Sequence, residues 1–220
     1  MLVSPTLSKD FKLFSKGKVR VIENGIALPD NSRERSTGEE IRLLCTGRAD
    51  KQKGFQTAIR AVAEIDDMPL HLDIIGTGPY LDDLKKISRD LRTDERVTFH
   101  GRVTDDELNL AYSSADIYLI PTTRYEGLPL ALLEAMAHGI PTISSEIGGN
   151  SDVITHNHDG IFIKPGNLSE LISAIRRLGN DQEERRRISQ AARATTERRF
   201  DKERMIDETL QTLESLTNIS

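Results

Sequence analysis

Short apolar segments alternate with longer amphipathic ones from residue 41 onward, and this alternation constrains the fold most strongly. The apolar segments predict strands at Ile41–Thr46, Leu70–Ile75, Val97–His100, Ile117–Ile120, Thr142–Ser144 and Gly160–Ile163. The amphipathic segments predict helices at Phe55–Glu64, Leu81–Arg89, Asp105–Tyr112, Leu130–Ala137, Leu168–Leu178 and Gln182–Arg198. Such alternation favours an α/β fold, a mostly parallel sheet with helices on both faces, whose ligands bind at the carboxyl ends of the strands.

Composition narrows the class of protein. The chain has 220 residues, of which 37% are hydrophobic and 30% charged, and its net charge is -5, so we expect no general attraction to nucleic acid. The sequence has no long apolar run and no secretory leader pattern, so we expect no membrane span. The single cysteine, Cys45, lies in a predicted strand and is interpreted as a core residue, which favours a reducing, cytoplasmic location.

The loop after the first predicted strand carries two cations between two glycines. Gly47 allows a tight turn, and Arg48 and Lys53 can reach one anionic group from two sides. Gly54 lets the next helix begin close to a ligand. A solvated basic loop is the alternative, because the loop is neither a Walker motif nor a Gly-x-Gly-x-x-Gly fingerprint.

Further glycines follow the other predicted strands. Gly76 and Gly78 allow a ligand to approach the backbone, although a plain strand-to-helix turn explains them nearly as well. After the third strand, main-chain groups of Arg102 and Val103 could meet the edge of a flat base. A glycine-rich turn over residues 144–150 leads into another helix.

Two glutamates bracket the start of one helix. Glu126 is predicted on the loop and Glu134 on the helix Leu130–Ala137, with Pro129 in a favourable first-turn position. The free amides and positive dipole of a helix start suit phosphate, and carboxylates suit sugar hydroxyls. Acidic residues also favour helix starts for purely electrostatic reasons, but a carboxylate within an apolar run needs a partner or a wet cleft.

The sequence gives little support for a metal or nucleic-acid site. It lacks an Asp-x-Asp pair and a cysteine cluster, and His156-x-His158 is interpreted as a surface turn rather than a metal site. The arginines between residues 176 and 204 alternate with acids and are typical of a solvated helical face.

Taken together, these residues resemble the C-terminal half of GT-B-fold retaining glycosyltransferases, the "group 1" family that uses nucleotide-sugar donors. The resemblance runs from about Val21 to the end, and its most specific part is Ala115 to Gly149. Glu126 to Pro141 looks like the Glu-x7-Glu signature with its following helix and strand, and Gly47-Arg48 with Lys53-Gly54 looks like the phosphate-binding pair. Residues 21–25 resemble the hinge entry.

The resemblance implies a Rossmann-like fold and specific roles. Arg48 and Lys53 would bind the donor diphosphate and stabilise the leaving group, while Glu126 would contact hydroxyls of the donor sugar; these residues are the catalytic candidates. Glu134 would hold the ribose hydroxyls. The remaining donor-binding candidates are Gly47, Gly76, Gly78, Arg102, Val103, Gly127, Leu128 and Leu130.

The resemblance also implies a UDP- or GDP-type nucleotide sugar as the substrate, with no cofactor and no metal requirement. The family neutralises the leaving group with protein cations and helix dipoles, which agrees with the missing Asp-x-Asp pair. Leu128-Pro129 stands where many relatives carry Phe-Gly, and Pro129 removes one amide that could meet the ligand.

Domain organisation follows from the same resemblance. We expect residues 1–28 to be the remnant of a preceding N-terminal domain and a hinge, with a short strand that leads into a turn over Val21–Ile26. We further expect a linker at 29–40, a nucleotide-sugar-binding domain at 41–200 and a C-terminal crossover helix at 201–220, about Lys202 to Leu216. A glycan or glycolipid acceptor would bind through the missing half, in the cytoplasm or at the inner face of the membrane. The alternative is a non-catalytic nucleotide-sugar-binding or regulatory subunit of a split enzyme.

Overall fold

Residues 20–29 and 40–217 are described by the computed structural model. Within these ranges one sheet contains six strands: β1 Ile41–Thr46, β2 Leu70–Ile75, β3 Val97–Gly101, β4 Ile117–Ile120, β5 Thr142–Ser145 and β6 Ile161–Ile163. The strand order is β3-β2-β1-β4-β5-β6, and every neighbouring pair is parallel. The predicted strands are therefore confirmed, with bounds that differ by one residue at β3, β5 and β6.

Eight α-helices connect or follow these strands within the described residues: α1 Phe55–Glu64, α2 Leu81–Asp90, α3 Asp105–Ser114, α4 Leu130–Ala137, α5 Asn150–Val153, α6 Leu168–Asn180, α7 Gln182–Arg199 and α8 Lys202–Thr217. A 3-10 turn at Lys51–Lys53 precedes α1. The helices α1 and α4 have the predicted bounds. Gly54 precedes α1, and Pro129 and Gly139 flank α4.

Two apolar cores lie on opposite faces of the sheet. One core joins α1, α2 and α6 to the strands through residues such as Ile59, Leu84 and Ile175. The other joins α3 and α4 to the sheet through residues such as Tyr112 and Leu133, and α7 packs against α4. Cys45 is fully buried in the first core, and burial raises the pKa of its thiol, so it is a neutral core residue as predicted.

The strand order reverses between β1 and β4. Helices that follow β1 and β2 cover one face, whereas helices that follow β3 and β4 cover the other. At such a switch point the loops leave the sheet in opposite directions and a crevice opens between them at the carboxyl edge. The loops that follow β1 and β4 carry Lys53 and Glu126, so the topology places both at this crevice.

A short segment near the start of the described residues differs from the prediction. The predicted strand at Val21–Ile26 is wrong, because the described residues 20–29 contain only isolated bridges. Ile26 donates its N–H to the Phe200 carbonyl at 2.8 Å and accepts from the Lys202 N–H at 3.0 Å. In the described part of the chain, Ile26 pairs only at Asp201, and the chain enters α8 directly after that residue, so the hydrogen bonds of a β-ladder cannot continue.

The remaining domain predictions stay predictions. Positions 1–19 and 30–39, which hold most of the predicted domain remnant and linker, lie outside the described residues. The predicted last helix corresponds to α8. Across the described ranges, no helix combines the length and apolar character that a bilayer crossing requires.

Candidate functional site

An ion pair joins the loops of β1 and β4 at the switch point. Lys53 Nζ lies 2.7 Å from Glu126 Oε1, and the two side chains are only 28% and 14% exposed. The 3-10 turn Lys51–Lys53 aims the lysine, and Thr122 Oγ1 lies 3.4 Å from the same carboxylate oxygen. A half-buried cation and a half-buried carboxylate thus occupy the crevice in which sheets of this topology bind their ligands.

Backbone contacts fix the two loops relative to each other. Gln52 offers its carbonyl to the Thr122 hydroxyl at 3.0 Å and to the Thr123 N–H at 2.8 Å. A Cβ at Gly54 would overlap the carbonyl of Pro121, so only glycine permits this approach. The Lys53–Glu126 pair therefore rests on a rigid backbone junction.

The β5 loop supports Glu126 from the other side. Gly149 donates its N–H to the Glu126 carbonyl at 2.9 Å, and a Cβ at Gly149 would overlap the carbonyl of Gly127. The glycine-rich turn that the sequence placed after the fifth strand thus packs directly on the backbone of the candidate site.

The other predicted glycines make similar loop contacts. A Cβ at Gly76 would overlap the Gly47 carbonyl, and one at Gly78 would lie 2.5 Å from the Ala49 carbonyl oxygen. Loop-to-loop packing explains both residues without a ligand, and their role as donor-binding residues stays a prediction. By contrast, the space beside Gly47 is open.

Arg48 and Arg102 are both exposed. The Arg48 side chain is 70% exposed, and its Nε lies 3.2 Å from Asp50 Oδ2, so it pairs within its own loop and not with Glu126. Arg102 follows Gly101 at the end of β3, and Val103 is half-buried against the α3–α4 core. Both arginines belong to loops at the carboxyl edge of the sheet.

The start of α4 presents free backbone donors. The first hydrogen bonds of the helix run from Leu132 and Leu133 to the Pro129 carbonyl, so the preceding amides, including that of Leu130, lack intrahelical acceptors. No side chain of the described residues caps this end. Leu128 is buried in the core, whereas the Leu130 side chain is half exposed. A helix start of this kind can bind an anion.

Glu134 has the partner that its apolar surroundings require. The hydroxyl of Tyr112 donates to Glu134 Oε2 at 2.9 Å, and burial together with the negative charge of Glu134 raises the Tyr112 pKa. Glu134 also lines a cleft of about 660 Å³ between α3, α4 and the segment Ile26–Pro29. The sequence analysis missed Tyr112, although the need for a donor beside a carboxylate in an apolar helix was a signal for it.

The predicted turn at His156-x-His158 is confirmed, whereas the absence of a metal site there stays a prediction. His156 bridges to Gly160 across a turn, its Nδ1 accepts the Phe162 N–H at 2.9 Å, and its ring stacks on Phe162. In the part of the chain that the structure describes, no group of three or more His, Cys, Asp or Glu side chains is placed to hold a metal ion.

Comparison with known proteins decides the family. The family model described as "Glycosyl transferases group 1" matches residues 30–195. The chain belongs to this family. Among its curated relatives, the sulfoquinovosyl transferase SQD2 of Arabidopsis thaliana is 33% identical over 73% of this chain and 31% of its own length. A GDP-mannose-dependent alpha-(1-6)-phosphatidylinositol monomannoside mannosyltransferase of Mycobacterium tuberculosis is 32% identical over 66% of this chain and 40% of its own length.

Solved structures of glycosyltransferases share the fold. Sucrose-phosphate synthase of Thermosynechococcus elongatus superposes on all of this chain and 58% of its own, with a TM-score of 0.88 and 26% identity. Anabaena Alr3699/HepE, solved in complex with UDP, covers 97% of this chain and 63% of its own, with a TM-score of 0.85 and 21% identity. The predicted Rossmann-like α/β fold of a group 1 glycosyltransferase is confirmed. The chain spans 31% and 40% of the length of the two curated relatives above.

Proposed function

We propose that this chain is the nucleotide-sugar donor-binding half of a retaining glycosyltransferase. Joined to an acceptor-binding half, it would transfer a sugar from a nucleoside diphosphate to an acceptor hydroxyl with retained anomeric configuration. The observation that carries the proposal is the Lys53–Glu126 contact of 2.7 Å at the switch point. In this contact Lys53, which we assign to the diphosphate, lies beside Glu126, which we assign to the sugar. A nucleotide sugar has its diphosphate bonded directly to its sugar, so the two residues would meet neighbouring parts of the donor.

Charge compensation is the central chemical task of such a site. When the glycosidic bond to the donor phosphate breaks, negative charge develops on the departing diphosphate, and cations or amides that already face it lower the barrier. Lys53 is half-buried and supplies a fixed charge, whereas the exposed Arg48 can turn toward the ligand. The free amides at the start of α4 add a third source of positive potential.

The remaining donor contacts are assigned from position. Glu134 would accept hydrogen bonds from the ribose, and main-chain groups near Arg102 and Val103 would meet the base. The glycines Gly47, Gly76, Gly78 and Gly127 would keep the loops close to the donor. Relatives differ in the nucleotide, since one is named for GDP-mannose and a solved neighbour holds UDP, so we propose a UDP- or GDP-type donor.

We further propose that transfer needs no metal ion. Lys53, Arg48 and the helix start together supply positive charge that a divalent cation would otherwise bring to the diphosphate. In the complete enzyme, transfer is expected to continue in the presence of EDTA. Loss of activity on chelation and its recovery with Mg²⁺ or Mn²⁺ would contradict this part of the proposal.

The alternative is a nucleotide-sugar-binding or regulatory subunit of a split enzyme. Both functions use the same donor site, but a subunit would activate a separately encoded partner. Co-purification with such a partner, and sugar transfer only by the mixture, would favour the subunit.

The experiment for the main proposal is calorimetry of the 220-residue chain with UDP, GDP and their sugars. We expect weak binding of one nucleotide class and little or no sugar transfer, because the acceptor side would be lacking. The complete enzyme would act on a glycan or glycolipid, in the cytoplasm or at the inner face of the membrane. Absence of binding to every nucleotide would refute the donor-site assignment, and robust transfer by the chain alone would refute the half-enzyme proposal.

A further inference from the structure

The Glu134 carboxylate ends a chain of hydrogen bonds through three buried or half-buried hydroxyls. Tyr112 O–H lies 2.9 Å from Glu134 Oε2, and Thr46 Oγ1 lies 3.0 Å from the Tyr112 oxygen. Thr46 Oγ1 also lies 2.6 Å from the Tyr118 hydroxyl. The chain links α4, α3, β1 and β4, four elements that meet at the switch point.

The carboxylate fixes the direction of every bond in this chain. An ionised carboxylate can only accept, so Tyr112 must donate to Glu134. The Tyr112 oxygen must then accept from Thr46, and Thr46, whose only proton is used, must accept from Tyr118. Donation therefore runs one way, from Tyr118 to Glu134, and each bond polarises the next.

Tyr112 is rigidly held and keeps its proton. Its side chain is 2% exposed, and its ring stacks on His138 with centroids 5.1 Å apart and planes 20° apart. Burial and nearby negative charge raise its pKa, so the hydroxyl remains a donor near neutral pH. A donor on a fixed ring restricts the rotation of the flexible glutamate that it contacts.

The hydrogen bond from Tyr112 uses Oε2 of Glu134 and leaves Oε1 available to a ligand. Among the described residues, Tyr112 is the side chain that donates to this carboxylate, and it contacts Oε2. Glu134 lines the cleft of about 660 Å³, so its carboxylate lies where a ligand can reach it. Because Oε2 is held, the carboxylate of this cleft-lining residue has restricted rotation, and this restriction also fixes the direction of Oε1.

We propose that Tyr112 is a positioning residue for nucleotide recognition. Its hydroxyl orients the Glu134 carboxylate so that Oε1 accepts hydrogen bonds from the ribose of a nucleoside diphosphate. This inference rests on the proposed function, because it takes Glu134 as the ribose-binding group. It adds that the direct contact of the Tyr112 hydroxyl with Glu134, rather than the rest of the network, sets the affinity for the ribose hydroxyls.

The test compares Tyr112→Phe with Tyr118→Phe in the 220-residue chain. Each variant removes one hydroxyl from the same network, but only Tyr112 contacts Glu134. Calorimetry would use UDP or GDP, whichever binds more tightly, and its 2′,3′-dideoxy analogue. We expect Tyr112→Phe to weaken the ribose nucleotide about 3- to 10-fold, the effect of losing one hydrogen bond, and to leave the dideoxy analogue unchanged. Tyr118→Phe is expected to bind both ligands like the unaltered chain.

A cycle with Glu134→Ala separates the possible failures. If the inference is right, Tyr112→Phe should cause no further loss of affinity for the ribose nucleotide in a chain that already carries Glu134→Ala. Equal weakening of both ligands by Tyr112→Phe would show a merely structural role and overturn the inference. An effect of Glu134→Ala without one of Tyr112→Phe would overturn it while leaving the proposed function intact. Binding that is insensitive to Glu134→Ala, or absent altogether, would overturn both.

Discussion

Lys53 Nζ and Glu126 Oε1 lie 2.7 Å apart, although 73 positions separate the two residues in the sequence. The contact has two chemical consequences. Each charge offsets the cost of half-burying the other, and an incoming diphosphate must compete with Glu126 for the lysine. The two members of the pair are therefore expected to influence ligand binding in opposite directions.

Removal of Lys53 should weaken anion binding. We expect Lys53→Ala to lower the affinity for a nucleoside diphosphate by about 1–3 kcal/mol, the scale of a charge-assisted hydrogen bond, and Arg48→Ala to act in the same range. Isothermal calorimetry measures the change. Lys51→Ala, an exposed lysine on the same 3-10 turn, is the matched control and should bind normally. Equal affinities of the Lys53→Ala variant and the unaltered chain would remove Lys53 from the site.

Removal of the Glu126 charge should strengthen binding of the bare diphosphate. Glu126→Gln frees Lys53 and ends the repulsion of the phosphates, so we expect a gain of about 0.2–1 kcal/mol for UDP or GDP. For the corresponding nucleotide sugar the lost sugar contact should offset that gain. Calorimetry with both ligands provides the comparison, and Glu146→Gln, an exposed acid after β5, is the control. If the Glu126→Gln variant bound the bare nucleotide more weakly than the unaltered chain, Glu126 would not compete with the diphosphate for Lys53.

The glycine behind Glu126 should be essential for a purely steric reason. Gly149 has ordinary helical backbone angles, φ -65° and ψ -13°, so alanine would incur no conformational penalty there. Its Cβ would nevertheless overlap the Gly127 carbonyl, and we expect Gly149→Ala to lower the free energy of unfolding by about 1–3 kcal/mol. Urea denaturation checks this, with exposed Ser151→Ala as the control. Unchanged stability of Gly149→Ala would mean that the β5 loop does not pack on Glu126.

An ion pair at the start of α7 should make stability depend on pH. Arg177 Nε lies 2.9 Å from Glu184 Oε2, and this hydrogen bond lowers the pKa of Glu184. A carboxyl whose pKa is lower in the folded state stabilises the protein above its unfolded pKa of about 4.3 and loses that contribution as the pH falls through the lowered pKa. Glu184→Gln should therefore melt at a lower temperature than the unaltered chain at pH 7.

The difference in melting temperature between the Glu184→Gln variant and the unaltered chain should shrink as the pH is lowered below the unfolded-state pKa of Glu184. Glu183→Gln provides the control, because Glu183 is 80% exposed and pairs with Arg186 on the surface. A melting difference for Glu184→Gln that stays constant from neutral to acidic pH would show that the effect comes from packing and not from charge.

Local sequence patterns located most elements because their physical basis is local. The apolar run Leu130–Ala137, bounded by Pro129 and Gly139, predicts the bounds of α4 correctly. The segment Val21–Ile26 failed because strand formation depends on a partner, and Ile26 has a single pairing position beside α8. A high strand propensity means that a segment can pair with a neighbouring strand. It does not provide that neighbouring strand.

The sequence by itself determined the α/β class, the positions of the six sheet strands and of most helices, and the fact that cations, carboxylates and glycines follow the strands. These features depend on side-chain periods of 3.6 and 2, which extend over a few residues. Only the tertiary structure decided that Lys53 contacts Glu126, that Tyr112 holds Glu134, and that Gly149 packs on the backbone of Gly127. Such contacts depend on strand order and register, which bring together segments far apart in the chain and leave no local pattern in the sequence.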